Sequence, residues 1–234
     1  MTSVPQHSCS NCSMREICLP MGVGKQDIDR LENLVQNSKI HHQNDVVIRQ
    51  DDAFHTLYAV KSGMYKSVKL NSDGEEYVVG FHLPGEIIGL DAIYPEVYTS
   101  SLIALTNSVL CQLDYEQLVT LSSSIAPLQH QLMRLSSKEI NTTQAFQSTQ
   151  TAEQKLASFI HNLAIRNEVR GFSATELHLA MTRQDIANHL GMAAETVSRL
   201  LKQFQGRDVL DIKHREMSIL DPAGLLLLTG CAHS

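Results

Sequence analysis

The sequence lacks long apolar runs and a recognisable export signal. The leucine run at 225–228 is far too short to span a membrane. The first residues, MTSVPQHSCSN, lack the basic start and the apolar segment of a secretory signal. We therefore expect a cytoplasmic protein whose five cysteines stay reduced. In a reducing compartment, clustered cysteines bind metal or perform redox chemistry more often than they form disulfides.

Recognisable catalytic motifs are also missing. No Ser-His-Asp, Walker or paired-carboxylate motif stands out, and the eleven histidines are scattered rather than spaced as metal ligands. We therefore do not expect an enzyme. The 234 residues are enough for one large or two ordinary domains, and 43% hydrophobic residues with 19% charged residues are typical of a globular protein.

Charge is distributed unevenly along the chain, whose net charge is −6. Residues 1–150 carry 10 Lys and Arg against 16 Asp and Glu, whereas residues 151–234 carry 9 of each kind. A polyanion would be repelled by the first part of the chain. A portion of residues 151–234 is able to face a polyanion such as DNA.

The pattern of residues indicates an α+β protein. Residues 26–37 place apolar side chains on one helical stripe and predict a short amphipathic helix. From 40 to 115, short runs rich in β-branched and aromatic residues alternate with turn signals and predict an antiparallel β-roll. Pro127 fits the first turn of a long helix that continues to 150. A further amphipathic helix is predicted over 152–168.

The predicted long helix carries a stripe in which apolar and polar residues alternate. Its members are Met133, Ser136, Ile140, Thr143 and Gln147. A coiled-coil seam would be apolar throughout, so this is either an ordinary solvated helix or one that pairs weakly and reversibly.

Residues 182–205, TRQDIANHLGMAAETVSRLLKQFQ, predict a helix-turn-helix. Thr182 and Asp185 form a plausible capping pair, and Gly191 permits a sharp turn between the helices. The second helix exposes Glu195, Ser198, Arg199 and Lys202 on one face. Arg and Glu have the hydrogen-bonding groups to read base edges, and Lys is able to meet phosphate. The alternative is that Glu195 and Arg199 form an ordinary ion pair on a wet helix face.

The segment VLDIKHREMSIL at 209–220 predicts two strands joined by a basic turn. Such a hairpin is the wing of a winged helix and would lie near phosphate.

The segment HSCSNCSMREIC contains three cysteines within ten residues: Cys9, Cys12 and Cys18. A further cysteine, Cys111, lies in the apolar run SVLCQL and alone would be interpreted as a small buried hydrophobe. Four thiolates suit an iron–sulfur cluster or zinc, but zinc sites more often show two closely spaced pairs. A redox pair at Cys9 and Cys12 would lack its usual βαβ setting.

A β-roll, a long helix and a C-terminal winged helix-turn-helix together resemble the cyclic-AMP receptor protein superfamily of bacterial transcription regulators. The narrower resemblance is to its oxygen-responsive branch, the fumarate and nitrate reduction regulators (FNR). It is carried by the three N-terminal cysteines with the distant Cys111 and by four short motifs. These motifs are FHLPGEIIGLDAI (81–93), MRLSSKEI (133–140), RGFS (170–173) and MTRQDIANHLG (181–191).

The resemblance implies a cytoplasmic dimeric activator or repressor with a [4Fe-4S] cluster bound by Cys9, Cys12, Cys18 and Cys111. It implies base reading by Glu195, Ser198 and Arg199 at palindromic TTGAT-type sites, on a DNA-binding surface that we extend to Thr182, Arg183, Thr196 and Lys202. It places an RNA polymerase contact around 70–76, including Gly74 and Glu75. It divides the chain into a cluster loop (1–25), a β-roll (26–126), a dimerisation helix (127–150) and a DNA-binding domain (151–234). Cys231 has no counterpart in this ligand set.

Relatives that bind cyclic AMP hold its phosphate with an Arg-Ser pair after the segment that matches GEIIGL. This sequence has Thr99, Ser100 and Ser101 there, without a nearby cation, so we expect no cyclic nucleotide. The alternative function is a zinc- or small-effector-binding regulator of the same superfamily that does not sense oxygen.

Overall fold

A computed structural model describes residues 8–37, 39–71, 73–145 and 151–230. The chain divides into two compact units, Met1–Gln147 and Ser148–Ser234. Across the described ranges, none of the helices has both the length and the apolar character needed to cross a membrane. The finer division into four functional segments stays a prediction.

The first unit contains two four-stranded antiparallel sheets around one apolar core, which confirms the predicted β-roll. Their orders are β1-β8-β3-β6 and β2-β7-β4-β5. The strands are β1 (Val35–Asn37), β2 (Val46–Ile48), β3 (Thr56–Ser62), β4 (Tyr65–Leu70), β5 (Glu76–His82), β6 (Ile87–Ile88), β7 (Ser101–Ala104) and β8 (Val109–Asp114), with a 3-10 turn at Leu90–Ala92.

The helix predicted over 26–37 is shorter in the structure, and its last residues form a strand. Helix α1 spans Lys25–Glu32, and its apolar face buries Ile28 and Leu31. The chain then turns into β1, where Val35 pairs with Leu113 of β8. Leu34 and Val35 continue the helical spacing of apolar residues, but pairing with β8 satisfies the backbone of residues 35–37 in an extended form.

Two helices follow the roll. Helix α2 (Tyr115–Ser122) begins at Asp114, whose carboxylate accepts from the Gln117 amide at 2.9 Å. Helix α3 spans Ala126–Ala145 and has Pro127 in its first turn, as predicted. One face of α3 packs Leu128, Leu132 and Leu135 against the core of the roll. The predicted continuation of this helix over 146–150 lies outside the described residues.

The second unit is a winged helix, which confirms that part of the predicted fold. Its elements are α4 (Ala152–Val169), β9 (Glu176–His178), α5 (Arg183–Leu190), α6 (Ala194–Gly206), β10 (Leu210–Lys213), β11 (Glu216–Ile219) and α7 (Pro222–Leu228). The strands form one antiparallel sheet in the order β10-β11-β9. A reciprocal capping box between Thr151 and Gln154 starts α4. The core of the unit lies between the helices and the sheet and includes Leu156, Ile160, Val197 and Phe204.

Candidate metal centre and nucleic-acid interface

The three N-terminal cysteines lie in a loop that consists of consecutive turns. The Cys12 amide donates to the Cys9 carbonyl at 3.4 Å, and the Cys18 amide donates to the Met14 carbonyl at 3.0 Å. The Cys9 amide also donates to a carboxylate oxygen of Glu32 at the end of α1, at 3.1 Å. Local turns therefore set the spacing of the thiols, and α1 fixes one end of the loop.

The loop packs against the turn between β5 and β6. Gly85 in this turn has a φ of +87°, and a Cβ atom there would lie 2.6 Å from Ile17 Cδ1 and 3.4 Å from Met14 Cβ. Only glycine combines this backbone conformation with so close an approach. Met14 is buried at the contact. The PG turn of the FHLPGEIIGLDAI motif thus supports the cysteine loop.

The fourth thiol comes from the roll. Cys111 lies on β8 between Asn37 of β1 and Ala59 of β3. All four cysteines are partly buried thiols outside any disulfide, and they line one cavity of about 40 Å³ together with apolar side chains, Arg15 and Lys61. The structure thereby brings together the four residues that the sequence predicted as a set, although Cys18 and Cys111 are far apart in the chain.

Burial controls the protonation of these thiols. Desolvation is the largest cause that raises the pKa of Cys9 and of Cys18, each to about 12, and that of Cys111 to about 11. The neighbouring thiols raise all three values further, whereas Lys61 lowers the pKa of Cys9 and of Cys111. With pKa values this far above neutral, these three thiols are protonated at pH 7.

The thiols share the cavity without converging on one point. In the ranges that the structure describes, no three His, Cys, Asp or Glu side chains are grouped so that they could hold a single metal ion. The cavity itself exceeds the roughly 10–15 Å³ that a single water needs.

The helix-turn-helix is formed by α5 and α6. The Thr182 hydroxyl accepts from the Asp185 amide at 3.0 Å, and the Thr182 amide donates to the Asp185 carboxylate at 2.9 Å, as a capping box requires. Gly191 ends α5 with a φ of +64°. Val197, Leu200, Leu201 and Phe204 form the buried face of α6. The predicted capping pair and the predicted turn are both present.

The opposite face of α6 presents the predicted base-reading residues together. Glu195, Ser198, Arg199 and Lys202 line one shallow depression. Among the described side chains, Glu195 and Arg199 form no salt bridge with each other, so the ordinary ion-pair interpretation does not hold here. Arg183 at the start of α5 approaches the Ser198 hydroxyl at 3.5 Å. Thr196 is partly buried on the same helix.

The wing is the hairpin of β10 and β11, in which Lys213 pairs with Glu216. Lys213, His214 and Arg215 are exposed at its turn, and His214 has a φ of +60°. Asp211 lies 2.9 Å from Lys213, which lessens the positive charge at this tip.

Known proteins match both units. Residues 154–228 match the Crp-like helix-turn-helix domain, and residues 39–124 match the cyclic nucleotide-binding domain. The chain is 38% identical over 225 residues to the anaerobic regulatory protein of Haemophilus influenzae, with 95% of this chain and 88% of that protein covered. It is 37% identical over 225 residues to the fumarate and nitrate reduction regulatory protein of Vibrio cholerae, with coverages of 95% and 90%. The chain belongs to the FNR group of the CRP–FNR family.

Membership of this family confirms the resemblance found in the sequence and makes the protein a DNA-binding transcription regulator. Its fold is also similar to the solved structure of FixK2 from Bradyrhizobium japonicum, with a TM-score of 0.76 and 23% identity. That match covers 85% of this chain and 99% of the other and shows the shared fold.

Two members of the predicted pairing stripe of α3 are exposed in the regulator. Met133 is 68% exposed and Ile140 is 59% exposed, whereas the Ser136 hydroxyl donates to the Leu132 carbonyl of its own helix at 3.0 Å. The Thr143 side chain and Gln147 lie outside the described residues.

The predicted polymerase contact lies on the turn between β4 and β5. Asp73, Gly74 and Glu75 are exposed, and Gly74 has a φ of +78°. The Asn71 side chain accepts from the Asp73 and Glu75 amides at 3.0 and 2.8 Å. Asn71 thus fixes two amides of this turn, and Asp73 and Glu75 face solvent.

The hydroxyl groups at the position of the Arg-Ser pair have partners within the roll. The Thr99 hydroxyl donates to the Asp91 carboxylate. The Ser101 hydroxyl accepts from the Gln50 amide at 2.9 Å. The match to the cyclic nucleotide-binding domain identifies the fold of this unit. That the regulator binds no cyclic nucleotide stays a prediction.

Sequence reasoning missed the contacts that join the cysteine loop to the helices. Glu32 on α1 accepts from the loop, and Gln131 and Arg134 on α3 reach it from the other side. Gln131 is only 4% exposed, an unusual burial for a glutamine. In the sequence these residues resemble ordinary polar positions on amphipathic helices, and only the folded chain shows their partners.

Proposed function

We propose that this regulator senses oxygen through a [4Fe-4S] cluster bound by Cys9, Cys12, Cys18 and Cys111. One observation carries the proposal: a loop and a distant strand bring four thiols to one cavity. Four cysteine thiolates are the usual ligands of such a cluster. The relatives named as anaerobic regulatory proteins support a response to oxygen supply.

The charge of the site fits this group. Burial keeps the thiols of Cys9, Cys18 and Cys111 protonated near neutral pH, so their thiolate forms need a positively charged partner. Bound iron would supply that charge, and Cys9, Cys18 and Cys111 would then hold it as thiolates after loss of their protons. Lys61, which lines the cavity, adds a further positive charge beside the thiolates.

The set of ligands favours a cluster over a single zinc ion. Three of the four thiols that line the cavity come from one loop and the fourth from β8. Zinc sites more often show two closely spaced pairs of cysteines.

Access for oxygen is available from the loop itself. Ser10, Asn11 and Ser13 are exposed between the cysteines, and Met14 is the buried apolar residue that covers the site. Loss of iron would release the loop from Cys111 of β8. The loop contacts α3 directly, so its release would change the environment of that helix.

We infer that the active form is a homodimer that pairs through α3. Exposed Met133 and Ile140 supply the apolar contact, and polar Ser136 keeps it weak. A weak contact keeps dimerisation near balance, so that a few kcal/mol are enough to switch it. A monomer reaches one half-site of a palindrome and loses most of its affinity.

Within that dimer, α6 reads the major groove of a TTGAT-type half-site. Arg199 donates two hydrogen bonds to a guanine, Glu195 accepts from a cytosine amino group, and Ser198 adapts to either base. Lys202, Arg183, Thr182 and Thr196 contact the backbone or flank the reading face. The exposed turn at Gly74 and Glu75 contacts RNA polymerase.

Anaerobic purification tests the proposal. We expect a coloured dimer with about four irons per chain, which air bleaches and converts to monomers. A colourless anaerobic sample with stoichiometric zinc would support the alternative regulator that does not sense oxygen. A cyclic nucleotide that co-purifies would overturn our expectation for the roll.

A further inference from the structure

The peptide group between Cys18 and Leu19 lies between the cysteine cavity and α3. Its carbonyl oxygen accepts from the Gln131 side-chain amide at 3.1 Å and from the Met21 amide at 3.2 Å. The Cys18 sulfur, which lines the cavity, is joined to this carbonyl through the Cβ and Cα atoms of the same residue. A change at the Cys18 sulfur is therefore felt at the carbonyl that Gln131 holds.

Gln131 is built into α3 at a buried position. Its side-chain oxygen accepts from Arg134 at 3.3 Å, and Arg134 also donates to the Met21 sulfur at 3.2 Å. Two residues of α3 thus hold the segment that directly follows Cys18. Leaving a buried amide without a hydrogen bond costs free energy. We therefore expect the Gln131 side chain to follow the Cys18 carbonyl when that carbonyl moves.

Gln131 and the pairing stripe occupy opposite faces of the same helix. Met133 lies two residues further along, which turns its side chain by about 200° around the helix axis. The first face is buried against the loop, and the second is exposed in the single chain. A displacement of the loop that moves Gln131 therefore also moves the surface through which α3 pairs.

We propose that Gln131 is the positioning residue that couples the state of the cysteine cavity to dimerisation of α3. The inference rests on the proposed function and specifies the contact through which it operates. Gln131 is not a cluster ligand, and the surface that pairs with the second copy does not include it. Its effect passes through the Cys18 carbonyl on one side and through the α3 backbone on the other.

The test compares substitutions of Gln131 with the same substitutions of Gln129, which is exposed on the same helix. Gln131→Leu keeps the approximate size of the side chain and removes the donor. Gln131→Glu keeps the shape of the side chain but places an oxygen atom opposite the Cys18 carbonyl oxygen. It replaces the leucine variant in the test if that variant is poorly folded. Gln129→Leu and Gln129→Glu are the matched controls. All are full-length chains purified without air.

We expect both Gln131 variants to bind as much iron and sulfide as the wild type while their dimer dissociation constants rise about tenfold, a typical effect of losing one buried hydrogen bond. Sedimentation equilibrium gives these constants. Hydrogen exchange in residues 127–145 of the anaerobic Gln131 variants should already match that of air-treated wild type. The Gln129 controls should behave as the wild type in every measurement.

Unchanged dimer constants in both Gln131 variants would overturn the inference. Loss of iron from both would also overturn it, because Gln131 would then hold the loop rather than transmit its state. The proposed function is judged separately on the wild type: a wild-type chain without iron refutes that proposal. A wild type with iron and a dimer, whose Gln131 variants keep the dimer, refutes only this inference.

Discussion

The cysteine cavity and the recognition helix are organised in different ways. The cavity joins a loop at residues 8–24 to strand β8, and three of its thiols have raised pKa values because burial disfavours their charged forms. The reading face of α6 comes from one short segment whose cap, turn and inner face are all local. The cysteine cavity therefore depends on tertiary contacts of the first unit, whereas the exposed face of α6 depends on a few neighbouring turns.

The largest effect should come from removing the thiol that the roll contributes. Cys111→Ser should lower the iron content from about four per chain to near zero and leave the anaerobic protein monomeric, because the loop then lacks its link to β8. Iron analysis and sedimentation of anaerobic samples measure both effects.

Cys231→Ser is the matched control for this substitution and should keep both iron and dimer. The second unit of Cys111→Ser should melt as in the wild type. A Cys111→Ser protein with full iron content would show that the cavity is not the cluster site.

A smaller effect is expected at the reading face. Arg199→Ala should weaken binding to the native half-site by about ten- to a hundredfold and abolish preference for one guanine, because a bidentate contact is worth about 1–3 kcal/mol. Iron content and dimerisation should not change. Binding to a set of single-base variants of the site measures the preference.

Lys202→Ala supplies the contrast on the same helix. It should weaken binding to all sequences alike. It should also reduce the slope of log affinity against log salt concentration by about one, as expected for a phosphate contact. Retention of full base preference by Arg199→Ala would contradict the assigned role.

The turn between α5 and α6 tests whether the helix-turn-helix depends on local backbone geometry. Gly191→Ala should destabilise this unit by about 1–2 kcal/mol, because φ is +64° there and an L residue is strained in that conformation. Gly206→Ala is the control, since neither glycine has an atom within 4 Å of a Cβ and only Gly191 has a positive φ. Thermal unfolding measures both. Equal melting of the two variants would argue against a strained turn.

The smallest expected effect concerns acid stability of the first unit. His41 is 4% exposed and shares a 2.9 Å hydrogen bond with the Tyr65 hydroxyl. Burial, and then Lys39, lower the pKa of His41 below its usual 6.5, whereas Asp45 raises it. The folded state therefore disfavours the charged form, so this contribution to stability is present above pH 6.5 and is lost as the pH falls.

His41→Gln should flatten the loss of melting temperature between pH 7.5 and about 5.5. His42→Gln, at the exposed neighbouring position, should keep the wild-type slope. If melting temperature falls equally with pH in the wild type and both variants, His41 is not the cause of the loss of stability in acid.

The two regions also differ in how far the sequence predicts them. The helix-turn-helix depends on contacts within about 24 residues, so the spacing of Thr182, Asp185 and Gly191 was sufficient to predict it. The helix predicted over 26–37 failed at Val35, because pairing with Leu113 of β8 is a tertiary contact. The role of Gln131 could not be predicted for the same reason, because its partner is the backbone carbonyl of Cys18, which is distant in the chain. Residue types and motifs indicated the four cysteines, but only the fold shows the cavity that joins them.

Under the proposed function, four thiols in one cavity hold a cluster whose loss separates the dimer. Iron content and molecular mass should be followed on one anaerobic sample while air is added in steps. We expect the mass to fall from dimer to monomer in parallel with the loss of about four irons per chain. A sample that binds no iron, or one whose mass stays constant while its iron is lost, would refute the proposed function.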